Sequence, residues 1–307
     1  MEKNTVKALV YLNVASLLWG GNVFLGSYLK DYLGPWSIMS VRMTIGSIVF
    51  IFLLKKAGQL KGVTTVLRWQ EITLIALSGT VAYQSMVYFG LRFTTAINVG
   101  LINSLAPIAV AFAAAIYLKE KLSFQLWVAA VLSFVGLVFI LSKGELDVLY
   151  QLSFNDGDLF IVASLFCWAV YSVAGKLAMA KVSPLVVTAL GIFLSTFIVL
   201  PLGVYEMNYV IPPIIKQEVV LAVLFIGIGP TVMSLLFWNK GVMMIGPARA
   251  SLILNMVPIY VIVLSAYLLD EDLYIYQIIG MVLIIGGSLY ANSGSGKVVK
   301  TAEKVKG

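Results

Sequence analysis

Apolar residues run through this chain in long stretches, and polar positions are confined to short joints between them. Ten stretches stand out, at about 8–28, 35–54, 70–91, 96–118, 122–142, 158–180, 184–204, 219–240, 247–269 and 274–292. Each is near the ~20 residues that a helix needs to cross a hydrocarbon core about 30 Å thick. The pattern predicts ten transmembrane helices. The first stretch is too long for a signal-peptide core and no convincing cleavage site follows it, so it counts as a span. The longest joints, about 55–69, 143–157 and 205–218, leave no room for a soluble catalytic domain. In the middle one, Asn155-Asp156-Gly157-Asp158 offers a turn and then a helix N-cap. Its carboxylates lack the spacing of a twelve-residue calcium loop.

The two halves of the pattern match. Ala15-Ser16-Leu17-Leu18-Trp19 is echoed by Ala163-Ser164-Leu165-Phe166-Cys167-Trp168, with Trp19 and Trp168 149 residues apart. Pro35 and Pro184 repeat that offset, whereas Pro107 and Pro258, then Glu120 and Glu271, repeat at 151. A unit with an odd number of spans enters on one side and leaves on the other, so its copy is inverted. The expected fold is an all-α integral membrane bundle of ten helices in two inverted five-helix repeats, 1–146 and 147–307, the second ending in a basic tail. Such halves can exchange conformations and expose a central site to either side in turn.

Composition agrees: 61% of the 307 residues are hydrophobic, 11% are charged, and the mean hydropathy is +0.99, which excludes an ordinary soluble domain. The net charge of +7 would suit nucleic acid, but its distribution points elsewhere. With the joints numbered alternately, sixteen of the 21 basic residues fall on the side of the N-terminus. The other side holds only Lys30, Arg92, Lys143 and Lys216, and Arg42 lies inside a span. The positive-inside rule makes the first side cytoplasmic, with both termini there, in the cell membrane. The basic tail from Lys297 to Lys306 reads as a topological anchor or a contact with anionic lipid. Cys167 is the single cysteine and histidine is absent, which leaves no disulfide and no metal-ligand cluster. Gly294-Ser295-Gly296-Lys297 ends in Val298 where a phosphate loop needs Ser or Thr. No cofactor is expected.

Candidate chemistry gathers near the span centres. Pro107 in span four and Pro258 in span nine occupy matching positions, and each would free the carbonyl four residues earlier, at Asn103 and Leu254. Asn103 and Asn255 lie within a turn of these breaks. In lipid such a break is tolerated beside protein or a water-lined cavity, and matched breaks point to a transport site; the alternative is a packing kink with an interhelical Asn bond. Span one centres on Trp19-Gly20-Gly21-Asn22, and span six on Trp168 and Tyr171. Midplane Trp side chains need a polar partner, so Trp19, Trp168, Tyr171 and Asn22 suggest a cavity, while the glycines suit close helix packing. Span three adds Tyr83, Gln84 and Tyr88, and span eight adds Ser234 and Trp238 on a line with Pro230; cavity and bundle interior are both open for these.

Arg42 is the one ionisable residue well inside a span, and a structural or snorkelling role is expected of it. None of the fourteen acidic residues lies near a span centre, which argues against a carboxylate proton relay. Glu120 and Glu271, at the ends of spans four and nine, are expected to cap the amides of the helix that follows.

In order, spacing and duplication these residues resemble the EamA group of the drug/metabolite transporter superfamily. The resemblance rests on Trp19-Gly20-Gly21-Asn22, Trp168-Ala169, and the Pro107 and Pro258 helices ending in Glu120 and Glu271, and it covers nearly the whole chain. It implies a basket-like bundle around a central cavity lined by spans one, three, four, six, eight and nine. Bacterial relatives often export amino acids or other small metabolites, some of them aromatic. It carries Trp19, Trp168, Asn103, Asn255 and both prolines onto family-typical positions. The expected function is export of amino acids, aromatic or apolar ones included, or of related metabolites by alternating access. The alternative is efflux of multiple drugs or cationic compounds, weakened by the missing intramembrane carboxylate. A membrane enzyme acting on lipid lacks a visible nucleophile, and a non-transporting assembly protein would need no polar path. The expected partners are a small-molecule substrate, the bilayer and a second copy of the chain, with no nucleic acid.

Overall fold

A computed structural model describes residues 3–29, 31–60, 68–90, 93–94, 99, 102–120, 122–150, 155–210, 214–268 and 272–293. Glu271 and the basic tail lie outside the described residues, as do Lys30, Lys61, Arg92 and Lys121. Among the described residues every regular element is helical. The long ones are α1 (Lys3–Leu29), α2 (Pro35–Lys56), α3 (69–90), α4 (Ala106–Tyr117), α5 (Phe124–Leu141), α6 (Asp156–Ala178), α7 (Pro184–Tyr209), α8 (Gln217–Ile245), α9 (247–268) and α10 (Ile275–Ser293). Six stretches of the described residues are long and apolar enough to cross a membrane: α2, α5, α6, α7, α8 and the Pro247–Leu264 part of α9.

Local chemistry explains the helix starts. Pro35 and Pro184 sit in the first turns of α2 and α7, where a missing N–H costs nothing. Ser123 and Ser183 accept the amides of Leu126 and Val186 at 3.3 and 3.4 Å. Asn155 takes the Gly157 amide at 2.8 Å and its own amide donates to Asp158 at 2.9 Å, forming the cap expected from the sequence.

The helices pair off as α5 with α10, α2 with α7 and α8, α1 with α8 and α9, α3 with α6 and α7, and α4 with α6 and α9. Small residues set the approach where lipid offers no hydrophobic drive. A Cβ on Gly136 would stand 2.7 Å from the Gly280 carbonyl, and one on Gly280 would stand 2.5 Å from that of Gly136. Gly20, set against Val257 and Tyr260 of α9, is a packing glycine of the same kind.

One boundary differs from the expectation. The joint foreseen at 205–218 begins later, because α7 continues to Tyr209 and carries Glu206 into the protein at 6% exposure. There the carboxylate accepts the amide and hydroxyl of Ser37 at 2.7 and 2.8 Å. It caps the first turn of α2, whose own cap position, Gly34, has no side chain to do so.

Candidate functional site

Five aromatic rings meet where α1, α3, α6 and α8 converge. Trp168 is the hub: its centroid lies 5.7 Å from Trp19, 5.2 Å from Trp238, and 5.1 Å from both Tyr83 and Tyr171. Trp19 also touches Trp238 at 6.0 Å. The Trp19–Trp168 contact is edge-on, the arrangement that ring quadrupoles favour. Trp168, Trp238 and Tyr171 are buried, whereas Trp19 and Tyr83 are partly exposed. Among the described residues the indole N–H groups of Trp168 and Trp238 have no acceptor, and neither does the Asn255 side-chain NH2. A buried donor left unmatched costs about 1–3 kcal/mol.

Helix irregularities surround the cluster. α3 is π-helical over Ala76–Ala82, and α8 over Gly229–Ser234. Such segments often mark functional sites. The α3 segment passes so close to Tyr171 that a Cβ on Gly79 would lie 2.1 Å from the ring. Thr80 in this segment bonds the Ser195 hydroxyl of α7. In α8 the π segment lengthens the turn, so Pro230, Ser234 and Trp238 do not form the regular i, i+4, i+8 line expected of them.

Both prolines directly follow an interruption of regular helix. Ser104 and Leu105 form a turn, and Pro107 falls in the first turn of α4. In α9 a short 3-10 segment, Leu252–Asn255, precedes Pro258. The carbonyls satisfied from outside here are those of Ile253, taken by the Ser16 hydroxyl of α1 at 3.1 Å, and Leu252, by Ser288 at 3.4 Å. Interhelical bonds of this kind let backbone irregularity exist at membrane depth.

Arg42 does not snorkel. It is 2% exposed, and its Nε donates to Thr231 Oγ1 in the α8 π segment at 2.9 Å. Thr231 in turn donates to the Ile226 carbonyl at 2.7 Å, so the cation and the π segment brace each other.

Glu120 caps a different helix from the one expected. It accepts the backbone amide of Ala248 at the start of α9, beside Gly246, whose φ of +81° suits glycine alone. The helix after Glu120 is capped by Ser123 instead. Burial pushes the Glu120 carboxyl above the usual carboxylate range, and the nearby Lys176 and Arg249 oppose that shift. Lys176 closes the same corner by donating to the Val242 and Met243 carbonyls at 3.2 and 2.6 Å.

Of the residues singled out from the sequence, the fold gathers Trp19, Tyr83, Trp168, Tyr171 and Trp238 into one cluster. Asn22, Gln84 and Asn103 are partly exposed, and the Tyr88 side chain lies outside the described residues. The Ser234 hydroxyl is engaged by the Ala15 carbonyl of α1 at 3.1 Å. Sequence reasoning missed Thr188 and gave Asn239 no role. The Asn239 amide donates to Tyr171 at 3.1 Å and to Thr188 at 2.9 Å. It also overlooked Thr80 and Thr231, although Thr80-Val81 and Thr231-Val232 repeat at the offset of the two prolines.

The model of the EamA-like transporter family matches residues 6–142 and again 155–293. An uncharacterized transporter of Bacillus subtilis (strain 168), YyaM, is 27% identical over 92% of this chain and 94% of its own. An uncharacterized transporter of Archaeoglobus fulgidus is 25% identical over 92% and 96%. A solved crystal structure superposes with a TM-score of 0.78 at 22% identity, covering 92% of this chain and 96% of that one, which shows a shared fold. The chain therefore belongs to the EamA-like transporter family and is a multi-pass membrane transporter rather than an enzyme.

Proposed function

We propose that this transporter exports amino acids with aromatic or apolar side chains, or related small metabolites, across the cell membrane by alternating access. In this reading ten spans form two inverted repeats, 1–146 and 147–307, with both termini in the cytoplasm. The contact between Trp19 and Trp168 carries the proposal. Two residues in equivalent positions of a repeat can touch only near the axis that relates them, and that axis is where such proteins bind their cargo. Exchanging the halves also carries the most extensively packed helix pairs onto one another. α1–α8 becomes α6–α3, α1–α9 becomes α6–α4, and α2–α8 becomes α7–α3, while α2–α7, α4–α9 and α5–α10 map onto themselves.

The site's chemistry supports the substrate class. Unmatched donors on Trp168, Trp238 and Asn255 suit the oxygens of a carboxylate, and the ring faces suit an apolar or aromatic side chain. The test is counterflow of labelled phenylalanine, tryptophan and leucine into proteoliposomes preloaded with the same unlabelled amino acid. Trp168→Phe keeps a ring and removes the donor, so it should raise KM about tenfold, the equivalent of one buried hydrogen bond. Absence of exchange for every amino acid tried would sink the proposal.

A further inference from the structure

We infer that Tyr171, Asn239 and Thr188 form a bolt that shuts the aromatic cluster toward the end of the bundle where α1 begins, and that Asn22 and Tyr88 form the matching bolt at the opposite end when this one opens. The inference rests on the transporter reading above and identifies the residues that control access to its site.

The first bolt is present in the structure. One Asn239 amide nitrogen from α8 bonds Tyr171 of α6 and Thr188 of α7, tying three helices together. All three residues are buried, Asn239 at 1% and Tyr171 at 2%. The Tyr171 ring lies 5.1 Å from that of Trp168, tilted by 33°, so the bolt closes onto the cluster. Its place along the bundle is set by neighbours: Lys240 stands over the Tyr11 ring, and a Cβ on Gly241 would lie 2.5 Å from Leu12. Both partners belong to the early part of α1.

The second bolt follows from the repeat. Gly241 against Leu12 has a counterpart in Gly90 against Ile161, where a Cβ would also lie 2.5 Å away. These pairs relate α1 to α6 by 149 positions and α3 to α8 by 151. The same offsets carry Tyr171 to Asn22 and Asn239 to Tyr88. A tyrosine paired with an asparagine thus becomes an asparagine paired with a tyrosine. The same two residue types recur with their places exchanged, and this exchange along the sequence is the basis for the second bolt.

The two faces differ in this structure as an alternating gate requires. α6 packs on α8 at the bolted end, and the equivalent pair, α1 and α3, makes no comparable contact among the described residues. Asn22 and residues 83–87 of α3 are partly exposed, whereas Tyr171, Trp238 and Asn239 are buried. Inverted halves in opposite conformations produce such an inequality between equivalent positions.

The test uses the full chain with Cys167, its single cysteine, replaced by alanine. Reporter cysteines go at Val242, buried one turn beyond Asn239, and at Val87 on the opposite side. In Tyr171→Phe and Asn239→Leu, a membrane-impermeant maleimide applied from the N-terminal side should label V242C about tenfold faster, the equivalent of one hydrogen bond. Labelling of V87C from the other side should slow by a similar factor. A disulfide between N22C and Y88C should form readily in the Asn239→Leu background and poorly without it. Unchanged labelling of V242C overturns the first bolt. Faster V242C labelling with unchanged V87C labelling, or equal cross-linking in both backgrounds, overturns the exchange between faces. None of these readouts needs a substrate, so reciprocal labelling without amino-acid exchange would leave the bolts standing and remove only the substrate reading.

Discussion

Ser47 of α2 and Thr196 of α7 share a side-chain hydrogen bond of 2.8 Å, and they are 149 positions apart, the separation of Trp19 from Trp168 and of Pro35 from Pro184. Thr196 already donates to the Ile192 carbonyl at 2.9 Å, so the Ser47 hydroxyl is the donor between them. Thr196→Val strands that donor, whereas Ser47→Ala removes it. Thr196→Val should therefore cost more, with a coupling of about 1 kcal/mol in a double-mutant cycle. Thermal unfolding in detergent measures both, and strictly additive single effects would exclude the bond.

The α5–α10 seam should be intolerant of a single methyl group. At Gly280 a Cβ meets the Gly136 carbonyl, which is backbone and cannot rotate away. Gly280→Ala should destabilise by about 1–3 kcal/mol. Gly286 lies in the same helix with nothing within 4 Å of an added Cβ, so Gly286→Ala should be neutral or slightly stabilising. Equal melting shifts for the two variants would contradict the packing.

Glu206 Oε2 accepts both hydrogen bonds that Ser37 donates in the first turn of α2. Glu206→Ala leaves the buried Ser37 amide unmatched and should cost about 1–3 kcal/mol. Glu206→Gln retains a carbonyl acceptor and should recover part of that loss. If Gln and Ala melt alike, the cap is not what holds this helix end.

The raised pKa of Glu120 gives stability a definite pH dependence. Its folded form binds the proton more tightly than the unfolded chain does, because burial disfavours the carboxylate. The resulting stabilisation is full below the ordinary carboxylate pKa and is lost as pH rises through the elevated folded value. Glu120→Gln should remove this slope, so melting temperature against pH should be flatter in the variant across that window. A slope that persists unchanged would assign it to another group.

Much of this arrangement was legible along the chain. The apolar stretches and the doubled Trp and Pro positions are local or periodic signals, and the Asn155–Asp158 cap involves only neighbours. The π segments were not legible: Pro230 was placed on a regular line with Ser234 and Trp238, and in α3 no residue type advertises one. Glu206 was misplaced in a joint, and of the two roles expected of Arg42 only the structural one fits its contact with Thr231. Position along a span could not decide either case, because each environment is made by a helix from the other half of the chain.

The sequence by itself determined that this chain is helical and crosses a membrane repeatedly, because hydrophobic length and composition need no knowledge of contacts. Only the tertiary structure decided which side chains meet. It gave Glu120 to α9 rather than to the helix that follows, closed the Trp168 cluster and joined Tyr171 to Asn239. Those pairings follow from helix crossings between residues tens to hundreds of positions apart, and such geometry leaves no mark on the pattern along either segment alone.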